Sequence, residues 1–336
     1  LEDTGYLARA ACVIDKHLRR VGLPGKAFVP MLAAHACAIP GIMAARTIED
    51  RQDRLTTIMV LPLLTCSARL PVYAMITALL FPASAAKGAA LFTGAYLLGI
   101  IAAMSMAFLF RKTLLKGDMQ PMMLELPNYK VPSFKTAFLT AYERGKIFVR
   151  KAGTVILAIS IVLWALMTFP QAPAPSEEFI QDIPLNGTQV VQEPQSKLSY
   201  SFAAKMGKGL EPIIEPLGFD WRIGVGIVAS FAAREVVVSA LSVIFGVEGY
   251  GDDTSVLLDR LKEAKRPDGS PLFTFASSCS LLVFYILAMQ CLPTQAVTKR
   301  ETGSWKWAIF QLGYMTVLAY TASLVTYQAL VALGMG

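Results

Sequence analysis

Apolar and polar positions fall along this chain in long blocks rather than in short periods. Five blocks are apolar for long enough to cross a bilayer as helix: 55–83, 88–110, 152–169, 277–297 and 308–333. A crossing helix needs about 20 such residues. The cleanest block is GAALFTGAYLLGIIAAMSMAFLF, 88–110, which holds no charge. Two further apolar blocks are interrupted. Residues 27–45 contain Pro30, His35 and Pro40, and residues 223–246 contain Arg234 and Glu235 at their middle. Each reads either as a span with a defect or as a hairpin that enters the membrane and returns.

Loop charge chooses between these readings. Loops 1–26, 46–54, 111–151 and 298–307 together hold 20 Lys and Arg, whereas the remaining loops hold 9 together with 13 acids. An excess of Lys and Arg marks the cytoplasmic face. The partition holds only if both interrupted blocks return to the side they entered from. The expected fold is therefore an all-α integral membrane protein, a polytopic helical bundle with two re-entrant helical hairpins in an inverted repeat. Inverted repeats with broken helices recur among transporters and place the substrate site near the midplane. The resulting segments are a cytoplasmic amphipathic lead-in (1–26), a first module of hairpin and two spans (27–110) and a basic cytoplasmic strap (111–151). A connecting span (152–169), an outer loop with an interfacial helix (170–222) and a second module (223–333) follow. The two modules are not visibly alike in sequence, so the repeat rests on topology.

Composition supports a membrane protein. Hydrophobic residues make up 54% and charged residues 16%, against about 25% charge in a soluble domain. The chain opens at Leu1 with no Met and no signal-peptide pattern, which reads as a fragment lacking its N-terminal part. Five cysteines with no small secreted framework around them argue against a disulfide scaffold. The net charge of +7 follows from loop asymmetry, and no nucleic-acid-binding pattern accompanies it. VGLPGKAF (21–28) is faintly like a phosphate-binding loop but lacks its first glycine and its Ser/Thr, so no nucleotide site is expected in this chain.

The chemistry concentrates at four interruptions: HACAIP (35–40), TCSARLP (65–71), FAAREV (231–236) and QCLP (290–293). Three pair a cysteine with a following proline. Proline has no N–H and its ring collides with the carbonyl four residues back. On this reading Pro40 frees the carbonyl of Ala36, Pro71 that of Ser67 and Pro293 that of Met289. Irregular backbone at membrane depth is tolerated where protein or a water-filled cavity satisfies it. Freed carbonyls beside the sulfurs of Cys37, Cys66 and Cys291 make a candidate site for a later transition metal rather than Mg²⁺ or Ca²⁺. Glu235 either adds a carboxylate or pairs with Arg234 or Arg69. Charges at membrane depth usually face a partner or a pathway, so Arg69 and Arg234 are candidate pathway or gating residues, a helix-locking pair being the alternative. His35 is either a tip residue satisfied by backbone or a ligand. Cys12 and Cys279 lack a nearby proline and read as small hydrophobes.

LEDTGYLARAACVIDKHLRRVGLPGKAFVPML, ARTIEDRQDRLTTIM, CSARLPVYA, FAAREVVVSAL and CLPTQAVTKRETGSWKWAIFQLGYM closely resemble the membrane domain of the ferrous iron transport protein B (FeoB) family, over nearly the whole chain and in order. The resemblance implies two Gate modules of the nucleoside-recognition type and a multi-pass Fe²⁺ importer of the bacterial inner membrane. It implies Fe²⁺ as transported substrate, no tightly bound cofactor and no enzyme activity in this part. GTP and Mg²⁺ would belong to an N-terminal GTPase domain outside this chain. Small accessory proteins and a homo-oligomer are further partners it allows. The family's first gate cysteine, with proline three residues on, falls on Cys37 and Pro40. Its second falls on Cys66, and a cysteine of the penultimate span falls on Cys291. This chain departs in reading Ala34-His35-Ala36-Cys37 where many members read Gly-Phe-Gly-Cys. The alternatives are a gate-type secondary transporter of nucleosides, a transporter of another divalent metal (Mn, Zn or Co), and a non-transporting membrane scaffold.

Overall fold

The computed structural model describes residues 5–117, 133–154, 202–231, 234, 236–245, 254–266, 269–289 and 291–334, with positions 157, 158, 161, 162 and 165. Regular structure among them is helical, with no strand beyond one isolated bridge between Lys265 and Pro271. Four helical stretches are long and apolar enough to cross a membrane: Arg51–Leu80, Ala85–Thr113, Phe275–Thr302 and Trp305–Ala332. They correspond to four of the five blocks read from sequence, and the protein is an all-α polytopic membrane protein. Most of the predicted span 152–169, residues 118–132 of the strap and residues 170–201 of the outer loop lie outside the described residues.

The lead-in is helix α1 (Tyr6–Arg20), which turns Ala11 and Leu18 into the protein and leaves Val13 exposed. Two short helices follow, α2 (Phe28–Ala36) and α3 (Ala38–Ala44), separated by Cys37 alone. They fold back on each other. A Cβ on Gly41 would sit 2.9 Å from both the Ala34 Cβ and the Pro30 carbonyl oxygen, so only glycine lets the two arms approach this closely. At about 1.5 Å per residue, nine and seven residues reach roughly half of a 30 Å core.

The first long stretch begins where Asp50 caps α4 (Arg51–Val60), accepting from the N–H groups of Gln52 and Asp53. It then breaks. A 3-10 turn at Leu61–Leu63, a non-helical passage at 64–66 and a second 3-10 turn at Ser67–Arg69 precede α5 (Leu70–Leu80). Helix α6 (Ala85–Thr113) is unbroken, and α7 (Phe134–Phe148) follows the strap.

The second half repeats this order. Helix α8 (Phe202–Ile214) covers the predicted interfacial segment and packs on α9 (Trp221–Ser230), which folds back against α10 (Val236–Ile244). After α11 (Thr254–Glu263), a capping box of Thr274 and Ser277 starts α12 (Phe275–Leu287). This helix stops at Ala288, and α13 (Leu292–Thr302) resumes after Cys291. Helix α14 (Trp305–Ala332) is the second unbroken span.

The halves interlock. Helix α3 packs on α13 of the second broken span, and α10 packs on α5 of the first. Helix α14 ties the halves at one more place. Pro62 cannot donate to the carbonyl of Ile58, and the fully buried Gln311 supplies that bond from Nε2 at 2.9 Å while its Oε1 accepts from Thr298. The hydroxyl of Tyr314 donates to the Met59 carbonyl beside it.

Candidate functional site

The three cysteines singled out by sequence occupy the same kind of position. Cys37, Cys66 and Cys291 are each in extended backbone (φ −156°, −104° and −150°) at the N-cap of the helical turn that restarts after a break. The prolines sit just inside the restarted helices: Pro40 in the first turn of α3, Pro71 in that of α5 and Pro293 in that of α13. There the missing N–H has no helical acceptor to lose and the fixed φ suits the helix. The carbonyl of Ala36, four residues before Pro40, is bonded by the Ser67 hydroxyl rather than by a helical N–H. The prolines start helices, and the carbonyls of the breaks are exposed by the extended residues before them.

Those carbonyls have protein partners. Arg69 is 1% exposed and donates from Nη1 to the carbonyls of Leu63 (3.0 Å) and Leu64 (3.1 Å), and from Nη2 to that of Pro62 (2.8 Å). One guanidinium thus closes the first break. At the second break the donor comes from the hairpin: Arg234, also buried, donates from Nη2 to the Ala288 carbonyl at 3.2 Å.

Each hairpin tip and its own span also exchange hydrogen bonds in both directions. In the first half, His35 Nδ1 donates to the Thr65 carbonyl (3.1 Å) and Ser67 Oγ donates to the Ala36 carbonyl (2.8 Å). In the second, Arg234 donates to Ala288 and the Leu292 N–H donates to the Phe231 carbonyl (3.0 Å). A carbonyl only accepts, so Nδ1 of His35 carries a proton in this contact. The ring stacks on Tyr96 of α6, centroids 6.0 Å apart. Helix α6 approaches at Gly99, where a Cβ would lie 3.0 Å from Thr65 Oγ1 and 3.2 Å from the Leu63 carbonyl oxygen.

The tips and breaks converge. Cys66, Cys291 and Arg234 all lie within electrostatic reach of Cys37, and Arg234 within reach of Arg69. Cys66 is buried, and Cys37 and Cys291 are partly so. Among the described residues, no three His, Cys, Asp or Glu side chains are gathered closely enough to hold one ion. The three sulfurs stand at separate breaks of the chain. Glu235 lies outside the described residues. Cys12 is exposed on α1, and Cys279 sits on α12 eight residues before its end.

Several residues of this region carried no signal in the motif reading. Ser67 and Thr65 stand inside TCSARLP, where neither residue type by itself signals a site. Gln295, one turn after Cys291, is 7% exposed and its Nε2 has no partner among the described residues. Gln311 and Gln295 share one sequence signal: an amide inside an apolar block is costly unless it bonds to something.

Two family models match the chain. Ferrous iron transport protein B C terminus matches residues 92–144, and nucleoside recognition matches residues 1–80 and 149–305. The Fe(2+) transporter FeoB of Leptospira interrogans serogroup Icterohaemorrhagiae serovar copenhageni is 43% identical over 333 residues, 98% of this chain and 46% of its own length. The Fe(2+) transporter FeoB of Methanocaldococcus jannaschii is 37% identical over 97% of this chain and 44% of its own length. A Porphyromonas gingivalis protein named as a fusion of Fe(2+) transport protein A and Fe(2+) transporter FeoB is 36% identical over 98% of this chain. The chain spans less than half the length of these relatives. No solved structure matches it.

Proposed function

We propose that this chain, which belongs to the nucleoside-recognition family, is the membrane part of a ferrous iron transport protein B and conducts Fe²⁺ across the bacterial inner membrane into the cytoplasm. The observation that carries this reading is the common placement of Cys37, Cys66 and Cys291, each at the extended residue of a chain break, with Cys66 and Cys291 both within electrostatic reach of Cys37. Soft sulfur suits a later first-row cation. Separate, weak sites suit passage, because an ion must leave each as readily as it enters. The His35 ring adds a borderline ligand beside the first thiol, between Ala34 and Ala36, the two positions where many members carry tip glycines.

In this reading α2–α3 and α9–α10 are re-entrant hairpins, and the two halves form an inverted repeat. Support comes from the repeated order of hairpin, broken span and unbroken span, and from the reciprocal packing of α3 on α13 and α10 on α5. Arg69 and Arg234 hold the breaks in a defined shape. In the whole protein an N-terminal GTPase domain binding GTP and Mg²⁺ gates the passage, and a small accessory protein of the kind fused in the Porphyromonas gingivalis relative assists it.

The test is Fe²⁺ uptake by the full-length protein in proteoliposomes under reducing conditions, normalised to inserted protein. Cys37→Ser, Cys66→Ser and Cys291→Ser each lower flux at least about tenfold while Cys12→Ser and Cys279→Ser leave it near the parent, and pairs are less than additive because the three act in series. Flux like the parent's in both the Cys37 and Cys66 variants would remove the sulfurs from the path. Competition by Mn²⁺, Co²⁺ and Zn²⁺ in the same vesicles reads the selectivity.

A further inference from the structure

Helices α3 and α13 have a shared design. Each starts at a cysteine in extended backbone, carries a proline in its first turn, and packs side by side with the other. Each also leads to one member of an ion pair. Arg46 follows α3 in a 3-10 turn, nine residues after Cys37, and Glu301 lies on the last turn of α13, ten residues after Cys291. The pair is bidentate, Arg46 Nε with Glu301 Oε2 and Nη2 with Oε1, across 255 positions of sequence. The Glu301 side chain is 5% exposed and the Arg46 side chain 51%. An ordinary surface pair contributes little, but a fork-to-fork pair on a buried carboxylate leaves an uncompensated charge when it is broken.

The position of the pair is what matters. The thiols stand at one end of two adjacent short helices and the ion pair at the other, on the side read as cytoplasmic from loop charge. The first helix belongs to the hairpin of one half and the second to the broken span of the other. We propose that Arg46 and Glu301 are positioning residues that clasp the first hairpin to the second broken span, set the spacing of Cys37 and Cys291, and keep the passage closed toward the cytoplasm. Opening then requires the clasp to part, so that α3 and α13 separate from their charged ends upward. The inference deepens the proposed function and rests on Cys37 and Cys291 lining the path.

A second pair nearby supplies a control. Lys26 bonds Glu49 at 3.0 Å, but Glu49 is 87% exposed and both residues belong to the first half. This pair crosses no boundary between halves.

The experiment reads thiol access and needs no iron, so it stands or falls separately from the transport assay. In the full-length protein, every cysteine except Cys37 and Cys291 is replaced by serine. Inside-out vesicles are then treated with a membrane-impermeant thiol reagent, and the modification rate of each remaining cysteine is followed by mass. Glu301→Gln and Arg46→Gln each raise the rate at both cysteines by about tenfold or more. The reversed pair, Arg46→Glu with Glu301→Arg, returns it to within about twofold of the parent. Glu49→Gln leaves it unchanged. Unchanged rates in both single variants would overturn the clasp. So would raised rates that the reversed pair fails to restore, since that outcome marks general loosening of the fold.

Discussion

In the first half of the molecule the break is capped from within its own span; in the second it is capped from the hairpin. Arg69 stands five to seven residues from the carbonyls it holds, whereas Arg234 reaches one 54 residues away. The first tip meets its span through a neutral ring and a hydroxyl, His35 and Ser67, and the second meets its span through a guanidinium and a backbone N–H. The first break is therefore a self-contained turn against which a tip can rest. The second exists in its present form only while its hairpin is docked. A carbonyl left bare at membrane depth costs several kcal/mol, so tip and span in the second half have to move as one or exchange partners.

Three substitutions test this contrast. The largest effect belongs to Arg69→Met, which strips three buried carbonyls of their donor. Stability in detergent should fall by about 3–5 kcal/mol, read as a large drop in the thermal unfolding midpoint and in membrane-inserted yield. Arg234→Met removes one such bond and should cost about 1–3 kcal/mol. Its larger consequence is local: protease or thiol access at 231–236 and at 288–291 rises together, while 62–66 stays protected. If Arg234→Met proved the more damaging to overall stability, the division into a self-capped and a hairpin-capped break would be wrong. The smallest effect is Ser67→Ala, at about 1 kcal/mol, with greater access at Cys37 and none at Cys291. Equal exposure of both cysteines would show that the first tip is held from elsewhere.

Much of this arrangement was legible along the chain. An uncharged block such as 88–110 has one stable outcome in a bilayer, and the structure extends it only by polar ends to 85–113. Block 55–83 became 51–80 because Asp50 caps polar residues into the helix before the apolar run begins. The clustering of Cys with Pro located three breaks correctly, but the mechanism did not follow from the proline alone. Proline's effect depends on which side of it the helix lies, and here each helix lies after it. Arg69 and Arg234 were visible as expensive charges; what they bond to was not, because their acceptors are main-chain atoms with no sequence identity. Gln311 and the Arg46–Glu301 pair depend on contacts more than 250 positions long, which no local pattern encodes.

That length has a consequence for how the protein is made. A polytopic chain leaves the insertion machinery from its N-terminal end, helix by helix. When α4 enters the bilayer, the carbonyl of Ile58 that Pro62 leaves without a helical donor has no partner yet; its donor, Gln311, is 253 residues further along the chain. The acid that holds Arg46 is also still unsynthesised, as are α13, on which α3 comes to lie, and α10, on which α5 does. The first half cannot reach its final form as an early, finished unit. It waits, with a polar defect facing lipid or the insertion channel, until α14 has been delivered. Assembly of this protein is thus a closing step performed by α14, and a ribosome that stops short of it leaves behind a span that is inserted but not yet folded.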